Sequence, residues 1–333
     1  MSKLAGAVIA ALCAVLAFAS PAQAAPQDTT IGVGPPLDNW TAAFLTSMFM
    51  PDAAPIGAND WSCVPSPEHP RPVVLVHGTW ENALSTWSGL APTLQSDGYC
   101  VYALNFGRSN LLEQGGVNSI LPGAYGARPI ESSAQELAPF VDAVLAQTGA
   151  SQVDLVGHSQ GGLVVRQYLR FEGGAPKTAN VVTLAATNHG TTMLGMGTLD
   201  RIIRDQAGVD LDPLLNHIAG VSGIQQVYDS PFLRTLNAGG DTEPGIAYTA
   251  IATRYDEVST PFDWTFLTAG PGATVRNVTI QDGCEIDFSE HLSIDYSPRA
   301  IDWVRHALDP VALPLDRIRC TVSAPLFGNS NLR

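Results

Sequence analysis

The sequence predicts an α/β protein with a mostly parallel central sheet covered by helices on both faces. Three observations carry this. Short, uninterrupted apolar runs recur along the chain, as strands buried on both faces require. Amphipathic stretches of helical length separate several of them. The best-defined run, Val153–Val156, leads straight into Gly157-His158-Ser159-Gln160-Gly161, a strand-to-helix turn of a particular kind.

The predicted strands are Val73–Val76, Cys100–Asn105, Val153–Val156, Val181–Ala185, Ala247–Ala252 and Val275–Ile280, and the predicted helices Trp87–Leu94, Ile130–Gln147, Gly161–Leu169 and Pro298–Leu308. Residues 191–245 break the alternation with short apolar patches interrupted by Gly, Asp and Pro, and read as a helical lid or cap inserted over the carboxyl edge of the sheet. Residues 25–70, rich in Pro, Gly and Ala, read as an N-terminal segment packed on the core. The main domain is expected over 71–333.

Ahead of these stands an export signal: Lys3, an apolar run from Leu4 to Phe18, and Ala22-Gln23-Ala24 as an A-x-A cleavage site. The run is shorter than the roughly 20 residues that span a bilayer. A secreted protein cut near Ala24 is therefore expected. Four of the five cysteines (Cys63, Cys100, Cys284 and Cys320) lie beyond the signal. An even number in an exported chain suggests two disulfides. Three pairings are open, and proximity along the chain favours Cys63–Cys100 and Cys284–Cys320.

The formal net charge is -14, from 31 acidic and 17 basic residues. Such a surface repels phosphate backbones, which excludes nucleic acid as a natural partner. It disfavours docking on anionic lipid by charge, so transient contact with a lipid interface would need exposed apolar surface. A monomer is expected.

Gly157–Gly161 fits G-x-S-x-G, the nucleophile elbow. Glycine at both flanking positions removes collisions at a tight turn and leaves the serine exposed above the sheet. The helix that follows directs N–H groups toward charge developing beside it. A serine hydroxyl needs a base, commonly a histidine oriented by a carboxylate. On such a fold the chain order is serine, acid, histidine. His291, in a loop after the last strand, is the expected base. His189 and His217 come too early, and His306 sits on the last helix. Asp256, at the turn ending the fifth strand, is the expected acid, with Glu257 its rival. Asp282, Glu285 and Asp287 follow the wrong strand. The oxyanion donors are expected at Gln160 and Thr79, where Gly78 lets the backbone approach a substrate. His77 reads as structural, and His158 as a filler of the elbow's variable position.

With these residues placed, the sequence resembles secreted lipases of the α/β-hydrolase superfamily, specifically the class 2 lipase group related to the fungal lipase B type. The resemblance rests on Val74–Thr79, Gly157–Gly162, Asn188–Thr191, Tyr255–Val258 and His291-Leu292, and covers roughly residues 70 to 310. It implies an α/β-hydrolase fold, a triacylglycerol lipase or esterase acting on ester or lipid substrate, and a Ser159–Asp256–His291 triad. It also implies that Thr79 donates its hydroxyl as well as its amide. No antiparallel hairpin precedes Val73, which implies a shortened sheet. The calcium ligands of some bacterial lipases find no match, so no metal and no cofactor are expected. A polyesterase or an acyltransferase would use the same residues. The rival from another class is a catalytically silent binding protein on this fold, and the complete ordered set argues against it.

Overall fold

The computed structural model describes residues 29–192 and 212–329. The expected signal segment and part of the expected lid, residues 193–211, lie outside them. All six apolar runs form strands: β1 (Val73–Val76), β2 (Val101–Leu104), β3 (Val153–His158), β4 (Thr178–Leu184), β5 (Ala247–Ala252) and β6 (Thr274–Thr279). They make one sheet in the order β2-β1-β3-β4-β5-β6, every pair parallel.

The continuous apolar character of these runs is explained by what covers the two faces. Val74 and Val76 of β1 enter one core cluster, Val73 and Leu75 the other. The first cluster is closed by α4 (Ile130–Thr148) and α5 (Gln160–Phe171). The second is closed by α2 (Ala83–Trp87), α3 (Leu90–Ser96) and α8 (Pro298–Leu308). Helix α1 (Trp40–Ser47) belongs to the N-terminal segment, and α6 (Asp212–Gln225, kinked at Gly220) and α7 (Pro231–Asn237) lie between β4 and β5.

One expected helix is corrected. Trp87–Leu94 is two helices, α2 and α3, which meet at Ser88 and Gly89. Asn82 starts α2 through a capping box with Ser85, and the Ser88 hydroxyl donates back to the Leu84 carbonyl at 2.6 Å. Side chain-to-backbone bonding of this kind favours a helix end over continuation.

Two asparagines occupy the edges of the sheet. Beside β2, the Asn59 amide accepts from the Ala103 N–H and donates to the Ala103 carbonyl, both at 2.8 Å. On β6, Asn277 does the same toward the backbone of Leu267, at 3.0 and 2.9 Å. Disulfide Cys63–Cys100 fastens the Asn59 segment to the start of β2, and Cys284–Cys320 ties the loop after β6 to the C-terminal segment. These are the pairings that chain proximity favours. Among the described residues, no helix is long and apolar enough to cross a membrane.

Candidate active site

Five strands end on the same side, and the segments leaving them build the site, as expected at the carboxyl edge of a parallel sheet. His77–Glu81 follow β1, Ser159 follows β3, Ala185–Thr191 follow β4, Asp256 follows β5 and His291 follows β6.

Ser159 stands at φ 51°, ψ -124°, a sparsely populated conformation, between the end of β3 and the start of α5. The flanking glycines are required sterically. A Cβ on Gly161 would lie 2.1 Å from the Val76 carbonyl oxygen, and one on Gly157 would lie 2.8 Å from the Gly161 backbone. The turn puts the Ser159 hydroxyl 2.9 Å from His291 Nε2. On the far side of the ring, His291 Nδ1 lies 2.9 and 3.0 Å from the two carboxylate oxygens of Asp256. That carboxylate also accepts from the backbone N–H groups of Val258 (2.9 Å) and Ser259 (2.6 Å), which fixes its plane. All three side chains are buried.

The alternatives sort themselves by distance. Glu257 is exposed and reaches the main-chain N–H of His291 at 3.5 Å, not its ring. Asp287 accepts from Ser289 and Ser297. His306 bonds the Leu313 carbonyl. His189 sits between the Trp264 carbonyl (2.9 Å) and the Asp241 carboxylate (3.0 Å), with the buried Arg166 joining the same network through Asp241. The Asp241 hydrogen bond leads in raising the pKa of His189, against the opposing effect of burial.

The Ser159 hydroxyl opens on a cavity of about 290 Å³ whose lining includes Thr79, Trp80, Gln226, Val258, His291 and Leu292. A surface depression of about 960 Å³ elsewhere, lined by Pro35, Asp97 and Arg305 among others, contains none of the site residues. Gln160 is the first residue of α5, and the first N–H groups of a helix have no partner within it. Thr79 stands on a turn held by the Trp80 N–H, which donates to the Tyr125 carbonyl at 2.7 Å. Its hydroxyl accepts from Gln226 Nε2 at 2.8 Å, and Gln226 Oε1 in turn accepts from Thr187 at 2.9 Å. Sequence reasoning misses Gln226, because a glutamine in an irregular segment carries no spacing signal. The same segment packs on the loop after β2, where the Ser222 hydroxyl donates to the Gly126 carbonyl at 2.9 Å. Among the described residues no His, Cys, Asp and Glu side chains converge as a metal ion needs.

His77, expected to be structural, and His158, expected to fill the elbow's variable position, behave differently. His77 Nδ1 donates to the Gly78 carbonyl at 2.8 Å and its Nε2 accepts from the Phe106 N–H at 3.3 Å, so a neutral ring satisfies both contacts. Burial pushes its pKa down to about 4, consistent with that form. His158 instead sits in a buried acidic cluster with Glu81 and Asp295, which its place in the elbow does not foretell.

Comparison with known proteins shows the family of the chain. Residues 70–291 match the family model of class 2 lipases. The chain is 35% identical over 123 residues to a triacylglycerol lipase of Pseudarthrobacter phenanthrenivorans, a match covering 35% of this chain and 33% of that protein. A triacylglycerol lipase of Burkholderia plantarii is equally similar, with 29% of its length covered. The match thus spans about a third of these relatives' length. Among solved structures, Aspergillus fumigatus lipase B superposes with a TM-score of 0.59 at 20% identity, over 84% of this chain and 62% of that one. That likeness shows the α/β-hydrolase fold. The family match covers the segment from the strand before Thr79 to His291 itself, and the chain belongs to the class 2 lipase family.

Proposed function

We propose that this protein is a secreted carboxylic-ester hydrolase, a triacylglycerol lipase or esterase, acting through an acyl-enzyme on Ser159. The observation that carries the reading is the unbroken hydrogen-bonded line from Ser159 through His291 to Asp256 at a cavity with apolar walls. Ser159 Oγ attacks the ester carbonyl carbon while His291 Nε2 takes the hydroxyl proton. Asp256 holds the ring by Nδ1 and stabilises the imidazolium that forms. The carbonyl oxygen, now an oxyanion, is held by the amides of Gln160 and Thr79 and by the Thr79 hydroxyl. The C–O bond to the alcohol breaks, and the alcohol leaves with the proton from His291. Water then repeats the sequence and frees the acid.

Gln226 supports the third donor. Because the Thr79 oxygen accepts from Gln226, the single hydrogen of the hydroxyl is available to an oxyanion. Residues 191–245 act as a lid, the enzyme works as a monomer, and transient contact with lipid interfaces is through apolar surface. The two disulfides suit an oxidising compartment.

The test is labelling by a fluorophosphonate, mapped by peptide mass spectrometry, beside hydrolysis of nitrophenyl esters from acetate to palmitate. Label on Ser159 together with ester turnover is expected. An unlabelled, inactive chain across the whole ester series would overturn the reading.

A further inference from the structure

We propose that His158 is a standing imidazolium and a positioning residue, which holds the His291 loop and the turn carrying Thr79 in register around the nucleophile. The proposal rests on the reading of Ser159, His291 and Asp256 as the reacting groups.

The geometry of its partners carries it. His158 Nδ1 lies 2.9 Å from Glu81 Oε2 and 3.3 Å from Asp295 Oδ2, and Nε2 lies 2.9 Å from the backbone carbonyl of His291. The His291 carbonyl accepts, and so does the ionised carboxylate of Glu81, the nearer partner of Nδ1. A neutral imidazole has one N–H and one lone pair, so it would aim that lone pair at a carbonyl or a carboxylate; an imidazolium donates on both sides. His77, one strand away, has a donor and an acceptor as partners and needs no charge.

The charge is buried with its counter-ion. His158 is 1% exposed, Glu81 4% and Asp295 1%. Burial opposes a charged ring, but the Asp295 and Glu81 carboxylates outweigh it and raise the His158 pKa to about 10. Burial also opposes an ionised Glu81, but His158 and the hydrogen bonds it receives bring it down to about 2. Asp295 is pushed well above the usual carboxylate range by burial, with Glu81 and Glu290 adding to it and His158 opposing. The cluster thus pairs a cationic His158 with an ionised Glu81, with the Asp295 carboxyl held above its usual range beside them. The titratable rings that also face it include His77, His291 and Tyr296.

The cluster also connects separate parts of the site. Glu81 accepts from the Gly78 N–H at 3.3 Å, from the Thr86 hydroxyl at 3.1 Å and from Trp40 Nε1 at 3.3 Å. Through Glu81 the imidazolium therefore grips the turn bearing Thr79, and through Nε2 the main chain of His291, whose ring centre is 5.0 Å from its own. Loss of that grip lets Nε2 of His291 drift from the serine, and a displacement of about 1 Å can cost roughly 10²-fold in rate.

The experiment has two arms on the full chain. In the first, nitrogen NMR of protein labelled at its seven histidines is recorded at about pH 8, with His158 assigned by its absence in His158→Gln. Protons on both ring nitrogens of His158 are expected; one bare nitrogen at that pH overturns the proposal. In the second, His158→Gln is expected to lower kcat roughly 10²-fold with KM nearly unchanged, and to slow fluorophosphonate labelling by a like factor. An unaltered kcat overturns it. Because that change leaves Glu81 unpaired, His158→Gln with Glu81→Gln removes both charges together. This double variant should fold and stay slow, and wild-type kcat in it would also overturn the proposal. If Ser159→Ala is dead while His158 variants keep full kcat, the positioning role alone fails. If turnover survives Ser159→Ala, the reading of the reacting groups fails instead.

Discussion

Gln226 donates from Nε2 to the Thr79 hydroxyl oxygen at 2.8 Å, joining the segment between β4 and β5 to the turn after β1. Thr79→Val keeps the shape and the backbone N–H but deletes the hydroxyl. If that hydroxyl bonds the oxyanion, kcat on a soluble short-chain ester should fall about 10²–10³-fold, or about 2.7–4 kcal/mol, with little change in KM. A kcat within about fivefold of wild type would leave only amide donors at the site, well short of that range.

Gln226 is expected to act through Thr79. Gln226→Leu should lower kcat less than Thr79→Val does, and should add little to it in the double variant. Residues in one hydrogen-bond network couple, whereas independent sites add. Additive effects in that cycle would assign Gln226 a separate task.

Asp256→Asn should leave the fold intact and lower kcat by up to about 10⁴, the loss seen for this change in a protease triad, because the amide favours the wrong imidazole tautomer. Glu257→Gln should have little effect, since Glu257 reaches only the main chain of His291. Reversed effects would exchange the two assignments.

A pH dependence of stability is expected from His189 and Asp241. The His189 pKa is raised, chiefly by its hydrogen bond to Asp241, so the stabilisation is complete below the unfolded histidine value of about 6.5. It is lost as pH rises through the higher folded value. For Asp241, burial works against the charged form but the bonds from His189 and Thr268 prevail, and the pKa is lowered. Its contribution is therefore present above the unfolded value of about 3.9 and fades as pH falls through the lower folded value. Melting temperature against pH should flatten at its alkaline side in His189→Gln. An unchanged slope there would rule the pair out as its source.

Replacing Cys284 and Cys320 by serine should cost about 3–4 kcal/mol in urea unfolding, from a sequence separation of 36 residues that includes the His291 loop. A loss under about 1 kcal/mol would mean that the loop is held by its hydrogen bonds alone, such as Glu290 accepting from Leu292 and Leu326.

Strands β1 to β5 are legible in the sequence because they are largely buried on both faces, so their apolar pattern has few gaps, whereas β6 is exposed or half-buried over 274–277 and its run is interrupted by Arg276 and Asn277. Ser159, Asp256 and His291 are legible because chain order and strand ends place them, and the structure brings the three together at hydrogen-bonding distance. The join between α2 and α3 is hidden, since apolar positions run on through Ser88 and Gly89 and only side-chain bonds mark the break. The cluster of Glu81, His158 and Asp295 is hidden for another reason. Its members come from three separate loops and strand ends, and a carboxylate destined for burial looks in the sequence like one destined for solvent.

The asparagine at the β2 margin of the sheet has a consequence for how this protein would age. A primary amide can present a donor and an acceptor at the spacing of a peptide unit, so Asn59 stands in for part of a missing strand beside Ala103 of β2, whereas Asn277 reaches from β6 to the loop residue Leu267. Asparagine is among the thermolabile residues. Deamidation of Asn59 to aspartate keeps the acceptor but replaces the donor with a second anionic oxygen, facing the carbonyl of Ala103. The peptide groups thus released are the ones through which a second molecule adds to an open sheet. In stored or heated material, clumping by strand addition would then begin at this one chemically altered margin while the interior of the molecule was still intact.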